Sequence, residues 1–161
     1  MAIFISFSVS INYIISQIKT VTSYLGVKRF ETLSDFDRVS AIDDDKALLN
    51  ILIADASLTL AATLEHRVKS WRQTAASVIF DIYLPDSADG TDTIDRNLLE
   101  NLIKSYICHE TIARWLNVAG ESEPATAART LADRIADRLT SSIPLPSAKA
   151  RLPRRRHLPP I

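Results

Sequence analysis

The sequence predicts a mainly α protein: a bundle of about four helices with a minor β component and an extended, Pro/Arg-rich C-terminal tail. Three observations carry this expectation. Apolar residues recur at helical spacing in four stretches of the chain, while two short stretches, 3–9 and 77–84, alternate apolar and polar with a period of two. Five of the seven prolines lie from Pro144 onward, where no acid occurs. The chain therefore divides into a single helical domain with a β arm, residues 1–142, and an extended basic tail, residues 143–161.

Ile3, Ile5, Phe7, Val9 and Ile11 fall on one side of an extended chain, with Ser6, Ser8, Ser10 and Asn12 on the other, which is the pattern of a half-buried strand. The period then changes. Ile11, Ile14, Ile15, Ile18, Val21 and Leu25 follow one helical face, and Gly26 stands where a left-handed cap would end it. The start carries no basic side chain and serines interrupt its apolar run, so neither a signal peptide nor a transmembrane segment is expected. Residues 27–42, with Phe30, Leu33, Phe36 and Val39 at three-residue steps, permit a short helix or turn.

Asp43, Asp44 and Asp45 precede a helix running from Lys46 to about Lys69. Carboxylates at that place satisfy free backbone N–H groups and oppose the positive end of the helix dipole. As a calcium site the triplet lacks ligands at alternate positions and a glycine turn. Leu49, Leu52, Ile53, Ala56, Leu60 and Leu64 form one stripe, but Ala47, Leu48, Ile51, Ala54, Leu58, Ala61 and Ala62 make the rest apolar too. A helix apolar on most sides is one surrounded by other helices or by other subunits. His66, Arg67, Lys69 and Arg72 bring positive charge to its end.

Val78, Phe80, Ile82 and Leu84 then alternate with Ile79, Asp81 and Tyr83 until Pro85, which predicts a second strand over 77–84. Two strands alone are marginal in water, so this one pairs with residues 3–9 against the helices or forms an arm that pairs with another subunit. Residues 86–93 read as a polar loop, whose aspartates lack the terminal glutamate of a calcium loop. A third helix spans about Thr93–Val118, with Thr93 as cap and Gly120 as its end. Pro124 falls in the first turn of a fourth, for which Ala128, Leu131, Ala132, Ile135 and Leu139 supply the buried stripe.

Charge is balanced only in total. The 19 Lys and Arg match the 19 Asp and Glu, but residues 141–161 hold Lys149, Arg151, Arg154, Arg155 and Arg156 without an acid, a net +5. Residues 1–140 hold 14 basic against 19 acidic groups, a net −5. Such asymmetry concerns partners rather than fold. At 161 residues and 47% hydrophobic, the chain can bury a core, and disordered or collagen-like compositions are excluded. A disulfide scaffold is excluded as well, because Cys108 has no second cysteine to pair with.

Chemistry is nearly silent. Cys108 and His109 are adjacent, but neighbours on a helix diverge by about 100° and cannot form a nucleophile–base hydrogen bond. His109-Glu110-Thr111-Ile112-Ala113 departs from the zinc-protease pattern because Ala113 stands where the second histidine belongs. The other histidines are His66 and His157, and Gly26, Gly90 and Gly120 are too scattered to cradle a phosphate. No catalytic residue, metal or cofactor is expected. Trp115 continues the apolar stripe of its helix and reads as core; Trp71 is either core or a partner anchor.

The layout is a long Ala/Leu helix opening with acids, an extended arm over 77–84, an acidic loop, and a long helix ending Ile107-Cys108-His109-Glu110-Thr111-Ile112-Ala113-Arg114-Trp115-Leu116. This resembles the small, mostly helical head-to-tail connector or neck proteins of tailed bacteriophages, over roughly residues 43–140. The resemblance implies a viral structural protein without catalysis: a subunit of a homo-oligomeric ring beside portal or tail proteins, in the virion or in the host cytoplasm during assembly. It implies that Val78, Phe80, Ile82 and Leu84 lie on an arm that augments a neighbour. No membrane partner is expected. The alternative is a helical adaptor or regulator that meets nucleic acid non-specifically through Arg151, Arg154, Arg155 and Arg156, with no aromatic interleaved for base stacking. That alternative predicts binding to random duplex DNA that weakens steeply between two salt concentrations and vanishes without residues 143–161, measured by fluorescence anisotropy.

Overall fold

The alternating N-terminus forms strand β1, Ile3–Ser10, and passes without a loop into helix α1, Ile11–Arg29. Ser10 Oγ accepts the Tyr13 amide, the third of the free N–H groups at the start of α1. The structure, a computed structural model, describes residues 3–29, 40–84 and 95–145. Helix α1 continues through Gly26, so this glycine does not cap it. The expected element over 27–42 lies mostly outside the described residues, as does the loop over 86–93. Where the chain is described again it is fastened to α1: Thr22 Oγ1 accepts the Ala41 amide at 3.1 Å, and the hydroxyls of Ser23 and Ser40 lie 3.1 Å apart.

Asp43–Asp45 form a single 3₁₀ turn before helix α2, Lys46–Leu64. Asp45 does not cap α2 with its side chain, contrary to expectation; its Oδ2 accepts the Ile42 amide at 2.9 Å, closing the turn from behind. The stripe of Leu49, Leu52, Ile53, Ala56, Leu60 and Leu64 is buried as its spacing predicts. The helix stops at Leu64, five residues earlier than expected, because Glu65 takes a positive φ of 43° and a 3₁₀ turn follows through Arg67. Lys69 and Arg72 belong to a strand, β2, Val68–Gln73. With the turn after it, α2 forms a 22-residue stretch, Lys46–Arg67, within which an 18-residue window has a mean hydropathy of 1.8. It is the one helix among the described residues long and apolar enough to cross a membrane by length and composition. One side of this stretch walls the core.

Strand β3, Ser77–Leu84, lies between β1 and β2 and pairs antiparallel with both. The expected two-stranded sheet thus has three strands, and the expected arm is its middle strand. On the inner face Phe7 opposes Phe80, Val9 opposes Val78 and Ile5 opposes Ile82; Trp71 opposes Phe80 from the other side and stacks on it at 6.4 Å. Helices α1 and α2 and the third helix pack below this face.

That third helix, α3, spans Arg96–Val118. Asp95, not Thr93, is its cap: the Asp95 carboxylate accepts the Leu98 amide at 3.1 Å. Its end is a Schellman motif, in which the Glu121 amide bonds the Leu116 carbonyl at 2.8 Å and the Gly120 amide bonds the Asn117 carbonyl at 3.1 Å. Gly120 supplies the positive φ of 83° that this turn requires. The chain reverses there into α4, Ser122–Ser142, and α3 against α4 is the most extensive helix contact.

Helix α4 buries Ala125, Ala128, Ala132, Ala136 and Leu139. Leu131, expected in the stripe, is 45% exposed, and Ile135 is only partly covered. An alanine face lets two backbones approach closely, which places the small residues inward and turns the bulky ones out. Ile143 also departs from expectation, since it is fully buried and belongs to the body, so a truncation that spares the core begins at residue 146. Replacing Ala132, which has no exposed surface, with leucine should destabilise the protein by about 1–3 kcal/mol in urea or thermal melts through overpacking. Leu131→Ala should change stability by less than about 1 kcal/mol.

Candidate functional site

Three helices converge on one carboxylate. Glu110 on α3 is 3% exposed, and its Oε1 accepts Arg114 Nε at 2.9 Å and Arg129 Nη2 of α4 at 3.1 Å. Arg114 extends the network to α2, donating to Thr59 Oγ1 at 2.9 Å and lying 3.8 Å from Asp55. A buried carboxylate shared by two guanidiniums is charge-compensated, and both arginines keep contact with water. Beside it Tyr106 is buried, and burial pushes its phenol up to about 12, with the negative charges of Glu110 and Asp133 acting in the same direction. The network therefore ties helices together and presents no free acid or base.

A second polar arrangement lies on the outer face of the sheet. The Asp81 carboxylate accepts the hydroxyls of Ser6 and Ser70, both at 2.6 Å, and Arg72 Nη1 at 3.2 Å. These come from both neighbouring strands, so one side chain on β3 gathers β1 and β2. Asp81 is 8% exposed, with Ser6, Ser70 and Arg72 of its strand neighbours against its carboxylate. The Ser6 and Ser70 hydrogen bonds, joined to a lesser degree by Arg72, hold its carboxyl below the usual carboxylate value of 3.8 and outweigh the opposing effect of burial.

Cys108 and His109 line a surface groove of about 320 Å³ between α1 and α3, together with Tyr13, Gln17 and Lys104. Burial pushes the Cys108 thiol up to about 11, so it is neutral near pH 7 and a poor nucleophile. His109 Nδ1 sits 2.8 Å from the Ser105 carbonyl, which only accepts, so Nδ1 carries the proton and donates within its own helix. Among the described residues, no three His, Cys, Asp or Glu side chains group to hold a metal ion.

The residues singled out from sequence fare differently. Val78, Phe80 and Ile82 have no exposed surface, and β3 has no free edge, so they are not available to a neighbouring subunit as an added strand. Leu84 pairs in register with Ile3 at the end of the same strand. Among the described residues, the edge strands of the sheet are β1 and β2. Arg151, Arg154, Arg155 and Arg156 lie outside the described residues. Trp115 is buried, as its stripe predicts, and Trp71 is half-buried on the sheet.

The surface that sequence reasoning pointed to without locating is on α2. Ala47, Ile51, Leu58 and Ala62 are all exposed, Ile51 by 59% and Leu58 by 55%. Their spacing of four, seven and four puts them on one helical face, opposite the buried stripe. Asp55 borders this face, and Asp44 and Glu65 stand exposed at its two ends. Compared with protein-family models, curated proteins and solved structures, the chain matches none.

Asp81 yields a pH prediction. A carboxyl lowered in the folded state stabilises the fold above its unfolded value and loses that contribution as pH falls through the folded value. Asp81→Asn should therefore be less stable than wild type at pH 7, with the gap closing below about pH 4, as followed by urea denaturation across that range.

Proposed function

We propose that the chain is a non-enzymatic structural assembly protein, a subunit of a homo-oligomeric ring of the phage head–tail connector or tail-completion kind. The observation that carries this reading is α2, which is apolar on most sides and covered by the described residues on one side only. Isolated surface leucines and isoleucines are ordinary, whereas an aligned exposed stripe along a 19-residue helix is a surface made to be covered. The edge strands β1 and β2, unpaired on their outer sides among the described residues, add a second means by which identical subunits can join. The layout resemblance to connector proteins supplies the ring and its setting beside portal or tail subunits.

Light scattering of the purified protein should give a mass several times 17.9 kDa, and negative-stain electron microscopy should show closed rings. A monodisperse monomer at every concentration, unchanged by portal or tail proteins, overturns the reading.

A further inference from the structure

The uncovered side of α2 requires an occupant, and the course of the chain identifies one. Arg114 of α3 meets Thr59 of α2 and shares Glu110 with Arg129 of α4, which sets one level of the bundle. Arg67, just past α2, donates to the Ile143 carbonyl at 2.6 Å, just past α4, which sets a second level. Helices α2 and α4 therefore run in the same direction and end side by side. The chain leaves α4 extended, with Ile143 at φ −108° and ψ 106°, and Leu145 is 50% exposed. Pro144 fixes φ in the residue before Leu145. The described chain thus leaves α4 beside the C-terminal end of α2, from which the exposed α2 face runs back.

We infer that residues 146–161 of one subunit dock along the exposed α2 face, centred on Ile51 and Leu58, of the neighbouring subunit. The inference rests on the oligomeric reading above and assigns its contact. Reach is sufficient: sixteen residues at about 3.1 Å each span about 50 Å, whereas Ala47 to Ala62 covers about 22 Å of helix. Chemistry matches as well. Leu152 and Leu158 supply apolar side chains to an apolar stripe, and Arg151 and Arg154–Arg156 bring positive charge to a face bordered by Asp44, Asp55 and Glu65. The body's −5 against the tail's +5 favours such an encounter between copies.

Limited trypsinolysis of the full chain, read by mass spectrometry, tests this, because cleavage after Lys149, Arg151 and Arg154–Arg156 reports whether the segment is covered. In the assembled protein these cuts should be at least about tenfold slower than in Ile51→Asp and Leu58→Asp, two surface changes whose far-UV circular dichroism should match wild type. Protection should also disappear on dilution below the assembly threshold. Rings with a freely cleaved tail overturn the docking and leave the oligomer standing. A monomer at every concentration overturns the oligomer and this contact with it. Protection that survives dilution to monomers overturns docking between subunits and places the segment on its own body. Assembly lost in the two variants with tail cleavage unchanged assigns the face to helix-on-helix contact instead. Binding to anionic phospholipid vesicles that Leu58→Asp abolishes, with cleavage again unchanged, assigns it to a membrane. Either result overturns the inference.

Discussion

The Glu110 carboxylate is the point on which the helical half of the molecule depends. A charge 3% exposed is tolerable only if it is paired, and both partners come from defined places: one turn along α3 and across on α4. Sliding α3 against α4 by a turn would leave this buried charge without Arg129, and sliding α2 would cost Arg114 its contacts with Thr59 and Asp55. Hydrophobic contact between α3 and α4 rests on alanines, whose small, similar side chains favour close approach but discriminate poorly between neighbouring registers. The charge cluster supplies that discrimination. A similar division holds in the sheet, where Phe7, Val9, Val78, Phe80 and Ile82 provide burial and Asp81, bonded to Ser6, Ser70 and Arg72, holds three strands from the outer side.

This arrangement explains why α2 is left open. The helix is pinned to α3 through one edge, at Asp55 and Thr59, and to β2 through the other, where Gln73 Nε2 donates to the Asn50 carbonyl at 3.2 Å. Between those edges no element of the described chain lies over Ile51 and Leu58. An apolar side held by polar contacts at both margins presents a flat, positioned surface.

Much of the fold was legible in the sequence because period and element coincide. Ile3 to Val9 and Val78 to Leu84 alternate, and four helical stretches repeat at three and four. Strand β2 was not legible: Val68 and Trp71 are its only strong strand formers, and its Lys69 and Arg72 resemble the basic close of the preceding helix. That helix ends at Glu65, a non-glycine with positive φ, which leaves no mark in a sequence. In α4, leucine and isoleucine drew the expected stripe toward Leu131 and Ile135, although packing distance, not hydrophobicity, decides which face turns inward. Glu110 could not be found from sequence, since Arg129 stands 19 positions away and only the α3–α4 turn brings it near. The apolar excess on α2 was visible, but which half of it faces outward depends on its neighbours.

The path of β1 has a consequence in time. Ile3–Ser10 pair with Ser77–Leu84, so the N-terminal strand waits for about 75 residues of synthesis before its partner exists. At about 5–20 residues per second that is roughly 4–15 s. Throughout it, Ile3, Ile5, Phe7 and Val9 emerge first and have no native place to go, although α1 behind them can form at once. This strand is thus the one left longest without its partner, and its alternating serines keep its other face wet while it waits.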